Sequence, residues 1–164
     1  AIKKGSDRDA IRRAVVDGRI SILATDPAPH TWEEKQETYF NAPSGLPLIQ
    51  HSLLLMLEMC RQNCFSLELI VERACHAPAR LFQVEDRGFL REGYWADLVV
   101  VDPAEETSVQ NSQLFSKCGW SPFLYNVFSN RIDLTIVSGQ IAYQLGMPNL
   151  ANRGKRVAFS ANRR

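Results

Sequence analysis

The 164-residue chain lacks an excess of charge of either sign, since 19 basic and 18 acidic residues leave a formal net charge of +1. This balance excludes the basic excess typical of nucleic-acid-binding proteins and the acidic runs of disordered tails. No internal repeat is visible. A hydrophobic fraction of 45% over this length is enough for one domain with a core of its own.

Long hydrophobic runs are also missing. A membrane span needs roughly 18–20 apolar residues, whereas the longest candidate, 53–57, is interrupted by Glu58 and Arg61. Residues 1–5 carry no apolar stretch behind their charges, so they do not have the pattern of a signal peptide. The chain does not begin with Met, and we therefore expect either processing or a chain cut from a longer one.

Cysteine is scarce and does not have the spacing of a metal site. Cys60, Cys64, Cys75 and Cys118 match no zinc ribbon or knuckle. Cys60 and Cys75 lie in amphipathic helical patterns. The cysteines are therefore predicted to be reduced, buried thiols in a cytoplasmic protein.

The first elements have the pattern of half a βαβ unit. Ser6 followed by Asp9 resembles a capping box, and Gly18 is placed to end the helix that follows. The apolar run 20–25 then predicts a strand of a parallel sheet that is covered on both faces.

The rest of the chain is predicted to pass from helices to strands. A long polar connection over 32–47 leads to a helix near 48–62, and a second helix begins after Ser66 and breaks or restarts at Pro78. Beyond about residue 85, turns and alternating apolar residues predict strands, with Ser138-Gly139 as a two-residue hairpin turn. The basic tail 152–164 is predicted to be a solvated extension.

The most informative stretch is Asp26-Pro27-Ala28-Pro29-His30, which follows the predicted strand directly. Parallel-sheet enzymes place their chemistry at the carboxyl ends of strands. A carboxylate there can bind a metal ion and exchange a proton with metal-bound water, and a nearby His can bind an anionic group. An Asp in this position is also a common turn or capping residue, so spacing alone leaves both interpretations open.

Several further motifs follow one another along the chain and favour the functional interpretation of Asp26 over the structural one. They are the segments 24–31, 42–47, 76–82, 93–102 and 116–123. This series closely resembles the C-terminal part of the dihydroorotases, a family of the amidohydrolase superfamily, from Ile2 to about Leu145. The Asp-x-Ala-Pro-His element is the most discriminating part, because allantoinases and dihydropyrimidinases keep the Asp but usually lack the continuation.

The resemblance implies the C-terminal part of a (β/α)8 TIM-like barrel over 1–85, part of a small β-sandwich over 86–150, and a tail over 151–164. It implies that Asp26 ends the eighth barrel strand, binds the metal and acts as general base and acid. His30 is then expected to bind the substrate carboxylate, and Ser44 and Gly45 to contact the pyrimidine ring. The implied reaction is the reversible hydrolysis of dihydroorotate to N-carbamoyl-L-aspartate in pyrimidine biosynthesis, with one or two zinc ions in the full-length protein.

The departures from the family pattern are equally specific. The family's His-x-His pair, its lysine and two further metal-binding histidines have no counterpart in the sequence, and a full barrel needs about 250 residues. We therefore expect an inactive C-terminal piece of a dihydroorotase. Pro27 replaces the His or Ser of many relatives, and is expected to bias Asp26 toward an extended conformation.

Two alternative functions stay open, an allantoinase-type amidohydrolase and a catalytically dead dihydroorotase-like partner, for example of aspartate carbamoyltransferase. An apolar strand without its neighbours leads us to expect self-association or binding of a complementary N-terminal fragment. No nucleic-acid or membrane partner is expected.

The other histidine, aspartate and aromatic residues that could serve a site are predicted to have structural roles. His51 is predicted to be a capping or solvated residue, and His76 to lie near a helix end where it faces terminal carbonyls. Asp97 and Asp102 are predicted to be turn and edge residues. Three aromatic residues are expected to cover the β domain: Trp95, Trp120 and Phe123. The segment 33–35 is expected to be a solvated face of the loop.

Overall fold

The computed structural model describes residues 2–160 and shows a mixed α/β chain. The chain divides into two compact units. Unit 1 comprises Ala1–Ala24, Met59–Val100 and Ile132–Arg164, and unit 2 comprises Thr25–Glu58 and Val101–Arg131. The expected domain boundaries at residues 85 and 150 stay a prediction.

The helices of the described residues are short. They are α1 (Gly5–Val16), α2 (Trp32–Lys35), α3 (Ser52–Arg61), α4 (Leu67–Val71) and α5 (Ala77–Leu81), with 3-10 turns at Ile49–His51 and Asn111–Gln113. A π-helical turn, Glu72–His76, joins α4 to α5. The helix after Ser66 therefore continues through Pro78, which lies near the start of α5 and has no backbone N–H to donate.

Helix α1 begins earlier than the sequence pattern indicated. Its N-cap is Lys4, whose backbone N–H donates to the Asp7 carboxylate at 3.1 Å. The prediction of a capping box between Ser6 and Asp9 was therefore wrong, because Asp7 satisfies a helix terminus that lies two residues earlier. Gly18 follows the helix with a φ of +84°, and its predicted role in ending the helix is confirmed.

The predicted strand over 20–25 belongs to neither sheet of the described residues. Its Leu23 N–H donates instead to the Arg73 carbonyl at 3.0 Å, and the Ile20 N–H to the Ala14 carbonyl at 2.9 Å. Ile22 and Leu23 are only half-buried. A strand needs a neighbour with which to share backbone hydrogen bonds, and no described strand lies beside this segment.

The strands form a four-stranded and a two-stranded sheet. They are β1 (Leu98–Asp102), β2 (Thr107–Ser108), β3 (Val127–Phe128), β4 (Arg131–Val137), β5 (Gln140–Gln144) and β6 (Met147–Pro148). The larger sheet has the order β1-β4-β5-β6, so β1 is an edge strand, and the smaller sheet pairs β2 with β3. In the β4–β5 hairpin Ser138 and Gly139 both have positive φ, 53° and 82°. The predicted two-residue turn is confirmed.

Unit 1 packs around a small apolar core and one buried cation. The buried apolar side chains are Val15, Phe65, Ile70, Ala77 and Ala79. Arg87, 9% exposed, pairs with Asp97 and donates to Ser138 Oγ at 3.2 Å, with its guanidinium 5.2 Å from the ring centroid of Trp95. Asp97 also accepts the Ser138 N–H at 2.7 Å, so it ties the turn before β1 to the hairpin.

Unit 2 has a mixed core in which Leu54, Val109 and Phe128 are buried beside polar residues. Gln50 donates its side-chain N–H to the Gln113 carbonyl at 2.7 Å and accepts the Phe115 N–H at 2.9 Å. The amide of Gln50 thereby fixes the segment near 114 as a neighbouring strand would. Within this unit Asp102 lies 3.7 Å from Arg131, as suits the predicted edge residue.

The tail is less free than predicted. Ser160 N–H donates to the Gln83 carbonyl, Glu85 N–H donates to the Ala158 carbonyl, and Val84 bridges to Phe159. The described part of the tail is thus attached to unit 1, although its side chains are mostly exposed. The residues 161–164 of the predicted extension lie outside the described residues.

The cysteines are free thiols, but Cys75 is exposed and the other three are half-buried, so the prediction that they are buried was wrong. Within residues 2–160, no helix combines the length and the hydrophobicity needed to cross a membrane.

Candidate functional site

The first predicted site residue, Asp26, is exposed and lies in an irregular segment of unit 2. Its φ is +39°, in the left-handed region that costs a non-glycine residue roughly 1–2 kcal/mol. The expectation that Pro27 holds Asp26 extended was therefore wrong. Two residues further on, the Ala28 N–H donates to the Leu46 carbonyl at 3.4 Å.

His30 is fixed through three of its polar atoms. Its N–H donates to the Ala28 carbonyl at 2.9 Å, and its carbonyl accepts the indole N–H of Trp120 at 2.8 Å. Its Nδ1 lies 3.3 Å from a carboxylate oxygen of Glu34. A carboxylate beside Nδ1 favours the tautomer with the proton on that atom and leaves Nε2 free to meet a ligand.

The loop that contains Ser44 and Gly45 packs directly on the same turn. Gly45 has a φ of +102°, and a Cβ added to it would lie 2.4 Å from the Cβ of Ala28. Only glycine allows this approach. The structure therefore brings Gly45 against the Asp26–His30 segment, while the side chain of Ser44 is exposed.

Lys35 is the polar contact that the sequence did not reveal. Its ammonium donates to the carbonyls of Pro43 at 2.6 Å and Gly45 at 3.2 Å, in a partly buried position. The prediction of a solvated face over 33–35 holds for Glu33 and Glu34, which are exposed, but is wrong for Lys35. The capping box formed by Thr31 and Glu34 was the signal that an ordered turn, and not an open loop, follows His30.

His51 is not the solvated residue that was predicted. It is 4% exposed, its Nδ1 lies 3.4 Å from Ser121 Oγ, and its ring stacks at 6.2 Å on Phe128 and meets Phe123 edge-on at 5.9 Å. Burial disfavours the charged imidazolium and lowers the pKa of His51 below its ordinary value.

His76 also differs from its prediction, because the helix does not end there. It lies in the π-helical turn of unit 1, with Nδ1 3.5 Å from the Glu72 carboxylate, and its ring stacks at 4.3 Å on Phe89. A side chain, and not a set of terminal carbonyls, faces its imidazole.

A cavity of about 360 Å³ lies in unit 2 on the side of the two prolines that flank Ala28. Its lining is mainly apolar, with Pro27, Pro29, Ile49, Phe115 and Trp120 among its residues. Trp120 was predicted to cover the β domain, but it bonds to the His30 carbonyl and its ring lies 5.7 Å from that of Trp32.

The described residues do not by themselves fit a catalytic metal ion. Among residues 2–160, no three His, Cys, Asp or Glu side chains converge in a way that could hold one. Asp26 offers a single exposed carboxylate, and one carboxylate is fewer than the three protein ligands that catalytic zinc sites use.

Comparison with known proteins shows the family to which the chain belongs. Residues 2–142 match the model of the "Amidohydrolase family". The chain belongs to the amidohydrolase family. Its similarity to dihydroorotases, which the motif series predicted, is confirmed by curated relatives of that name.

The amidohydrolase chain is 33% identical to the dihydroorotase of Clostridium acetobutylicum over 144 residues, which cover 87% of the chain and 34% of that relative. It is 38% identical to the dihydroorotase of Halobacterium salinarum over 116 residues, which cover 71% of the chain and 28% of that relative. The chain thus spans about a third of the length of these curated relatives.

Solved structures agree on the fold. The L-hydantoinase (dihydropyrimidinase) from Arthrobacter aurescens superposes with a TM-score of 0.83 at 28% identity, covering 90% of the amidohydrolase chain and 34% of the other. An inactive dihydroorotase-like domain of a Chaetomium thermophilum CAD-like multifunctional protein superposes with a TM-score of 0.64 at 15% identity, covering 91% and 39%. The second likeness concerns the fold alone.

Proposed function

We propose that this chain supplies the C-terminal third of a dihydroorotase, which reversibly hydrolyses the cyclic amide of dihydroorotate to N-carbamoyl-L-aspartate in pyrimidine biosynthesis. One observation carries the proposal. The Asp-x-Ala-Pro-His segment forms an ordered turn, and the loop of Gly45 packs on its Ala28. Support comes from dihydroorotase relatives at 33–38% identity.

In this proposal the chain contributes the end of a (β/α)8 barrel and part of a small β-sandwich, in a cytoplasmic enzyme. Asp26 accepts and returns the proton that the hydrolysis moves. His30 binds the substrate carboxylate through its Nε2 edge, since Nδ1 faces Glu34. Backbone groups of Ser44 and Gly45 contact the pyrimidine ring.

Zinc is expected in the complete enzyme from the family resemblance. Because residues 2–160 provide no cluster of three ligands, Asp26 could be only one ligand among others supplied from outside these residues. We therefore propose that the isolated chain does not hydrolyse dihydroorotate, and that activity requires a complementary N-terminal part.

A catalytically dead dihydroorotase-like partner, for example of aspartate carbamoyltransferase, is the second candidate. Asp26 precedes a proline and adopts a left-handed φ of +39°, a combination that proline ordinarily disfavours. A chain without catalytic duty could tolerate such a position of the carboxylate. An allantoinase-type amidohydrolase is the alternative among enzymes.

The deciding experiment is a chimera. In the Clostridium acetobutylicum dihydroorotase, the matched segment is replaced by the corresponding residues of this chain, and hydrolysis of dihydroorotate is measured with zinc present. We expect turnover that Asp26→Asn lowers by about 10²–10⁴-fold, the usual contribution of a general acid–base group.

The matched control for this substitution is Asp17→Asn, since Asp17 is an exposed carboxylate that pairs with Arg19 just after α1. The turnover of the Asp17→Asn chimera should stay within about threefold of the parent chimera, because surface substitutions usually have small effects. A folded, zinc-loaded chimera that hydrolyses allantoin alone would favour allantoinase, and one that hydrolyses neither compound would favour the dead partner.

A further inference from the structure

The one-turn helix α2 directly follows His30 and is ordered by side-chain bonds at its start. Thr31 N–H donates to the Glu34 carboxylate at 2.9 Å, and Glu34 N–H donates to Thr31 Oγ1 at 3.3 Å. A helix of this length has no stability of its own. The reciprocal cap therefore orders α2 and, with it, the position of Lys35, the last residue of this helix.

Lys35 bridges from α2 to the loop of Ser44 and Gly45. Its Nζ donates to two carbonyl oxygens, 2.6 Å away on Pro43 and 3.2 Å away on Gly45. Hydrogen bonds from a charged donor are roughly twice as strong as neutral ones. Two such bonds in a partly buried place hold the backbone on both sides of Ser44.

The same loop is held from the opposite direction by the turn of the candidate site. The Leu46 carbonyl accepts the N–H of Ala28 at 3.4 Å and of Leu48 at 3.0 Å, and Gly45 lies against Ala28. The Gly45–Ala28 contact holds the loop at one residue, whereas the Lys35 bonds hold the carbonyls of Pro43 and Gly45.

We propose that Lys35 is a positioning residue, whose ammonium fixes the backbone of residues 43–45 against the Asp26–His30 turn so that Ser44 and Gly45 can receive the substrate ring. The contact with the ring rests on the proposed dihydroorotase function. The loop fixation does not, because the hydrogen bonds within the chain define it.

The fixation is tested on the chain itself by amide hydrogen exchange followed by NMR. Lys35→Met should speed exchange of the Ala28 and Leu48 amides about tenfold, because both donate to the carbonyl of Leu46 in the released loop. The Ile70 amide, bonded to the Ser66 carbonyl in unit 1, should not change. Unchanged exchange of Ala28 and Leu48 in Lys35→Met would overturn the proposal.

Lys117→Met is the matched control, because Lys117 is an exposed lysine of the same unit. It should leave the exchange of Ala28 and Leu48 as it is in the parent. Lys35→Arg should restore part of the protection, since a guanidinium keeps the charge but not the compact geometry of an ammonium.

The positioning role is tested separately in the active chimera. Lys35→Met should raise KM for dihydroorotate about tenfold and leave kcat within about threefold, the pattern of a lost binding contribution. Faster exchange with an unchanged KM would overturn the positioning role. An inactive parent chimera would instead count against the proposed function, while the exchange experiment would still decide the fixation of the loop.

Discussion

At the scale of single residues, Gly45 packs closely against Ala28 in the candidate site. Gly45 combines a left-handed φ of +102° with an approach that leaves no room for a Cβ. The two conditions add, since strain and overlap cannot be relieved by the same movement. The loop and the Asp26–His30 turn thereby depend on one position that lacks a side chain.

We expect Gly45→Ala to destabilise the chain measurably in urea unfolding. The left-handed φ costs roughly 1–2 kcal/mol for alanine, and the overlap with Ala28 adds about 1–3 kcal/mol of overpacking. Gly119→Ala is the matched control, because Gly119 has a φ of +72° in the same unit and open space around it. Equal losses in the two variants would show that the contact with Ala28 carries no energy.

His51 is the residue for which burial determines a pH dependence. Its lowered pKa in the fold means that the unfolded chain, with a His pKa near 6.5, binds more protons in the window just below that value. Stability from the neutral ring is fully present above pH ~6.5. It is lost as the pH falls toward the folded-state pKa, with a slope of at most about 1.4 kcal/mol per pH unit.

Urea unfolding at pH 7.5 and 5.5 should therefore give a lower midpoint at pH 5.5. His51→Phe should reduce that difference, because phenylalanine keeps a ring against Phe123 and Phe128 but does not titrate. His76→Gln should retain it, since His76 lies outside this buried cluster. The same difference in His51→Phe as in the parent would contradict the prediction.

At the scale of elements, β1 is an edge strand with exposed apolar side chains. It forms one edge of the larger sheet, and Leu98, Val99 and Val100 are 36%, 45% and 49% exposed. Natural edge strands are usually short, charged or covered. An exposed apolar edge strand is prone to pair with another chain.

We therefore expect the isolated chain to self-associate and Val100→Lys to reduce the association, because a charge on an edge strand opposes pairing. Light scattering coupled to size exclusion should show the mass of the variant falling toward 18.5 kDa. Val157→Lys, at a 37% exposed valine outside the sheet, should leave the mass of the parent unchanged. A monomeric parent, or equal association in both variants, would contradict the prediction.

Elements governed by local geometry were predictable from the sequence. The β4–β5 hairpin follows from Ser138-Gly139 and the end of α1 from Gly18, because few residues tolerate positive φ. The strand over 20–25 was not, because a strand is defined by its partner and not by its own hydrophobicity. The start of α1 depends on whether Asp7 or Asp9 accepts the backbone N–H of the N-cap residue. Sequence spacing alone did not decide between the two.

At the scale of the whole molecule, the order of motifs in the sequence revealed the family and predicted the candidate site. The series of motifs led to Asp26, His30, Ser44 and Gly45, and the structure packs Gly45 on the turn between the first two. Lys35 escaped prediction because its carbonyl partners lie eight and ten residues away in a loop without regular structure. The barrel, the sandwich and the metal stay proposals that concern a protein about three times as long.

The indole of Trp120 has a consequence for observing this molecule. The chain has three tryptophans; Trp120 donates to the His30 carbonyl and its ring lies beside that of Trp32, both within unit 2, whereas Trp95 belongs to unit 1. The tryptophan fluorescence of a Trp95→Phe chain therefore originates in unit 2, from Trp32 and Trp120. The protein therefore carries its own optical probe next to the Asp26–His30 segment, where the proposed function places the substrate.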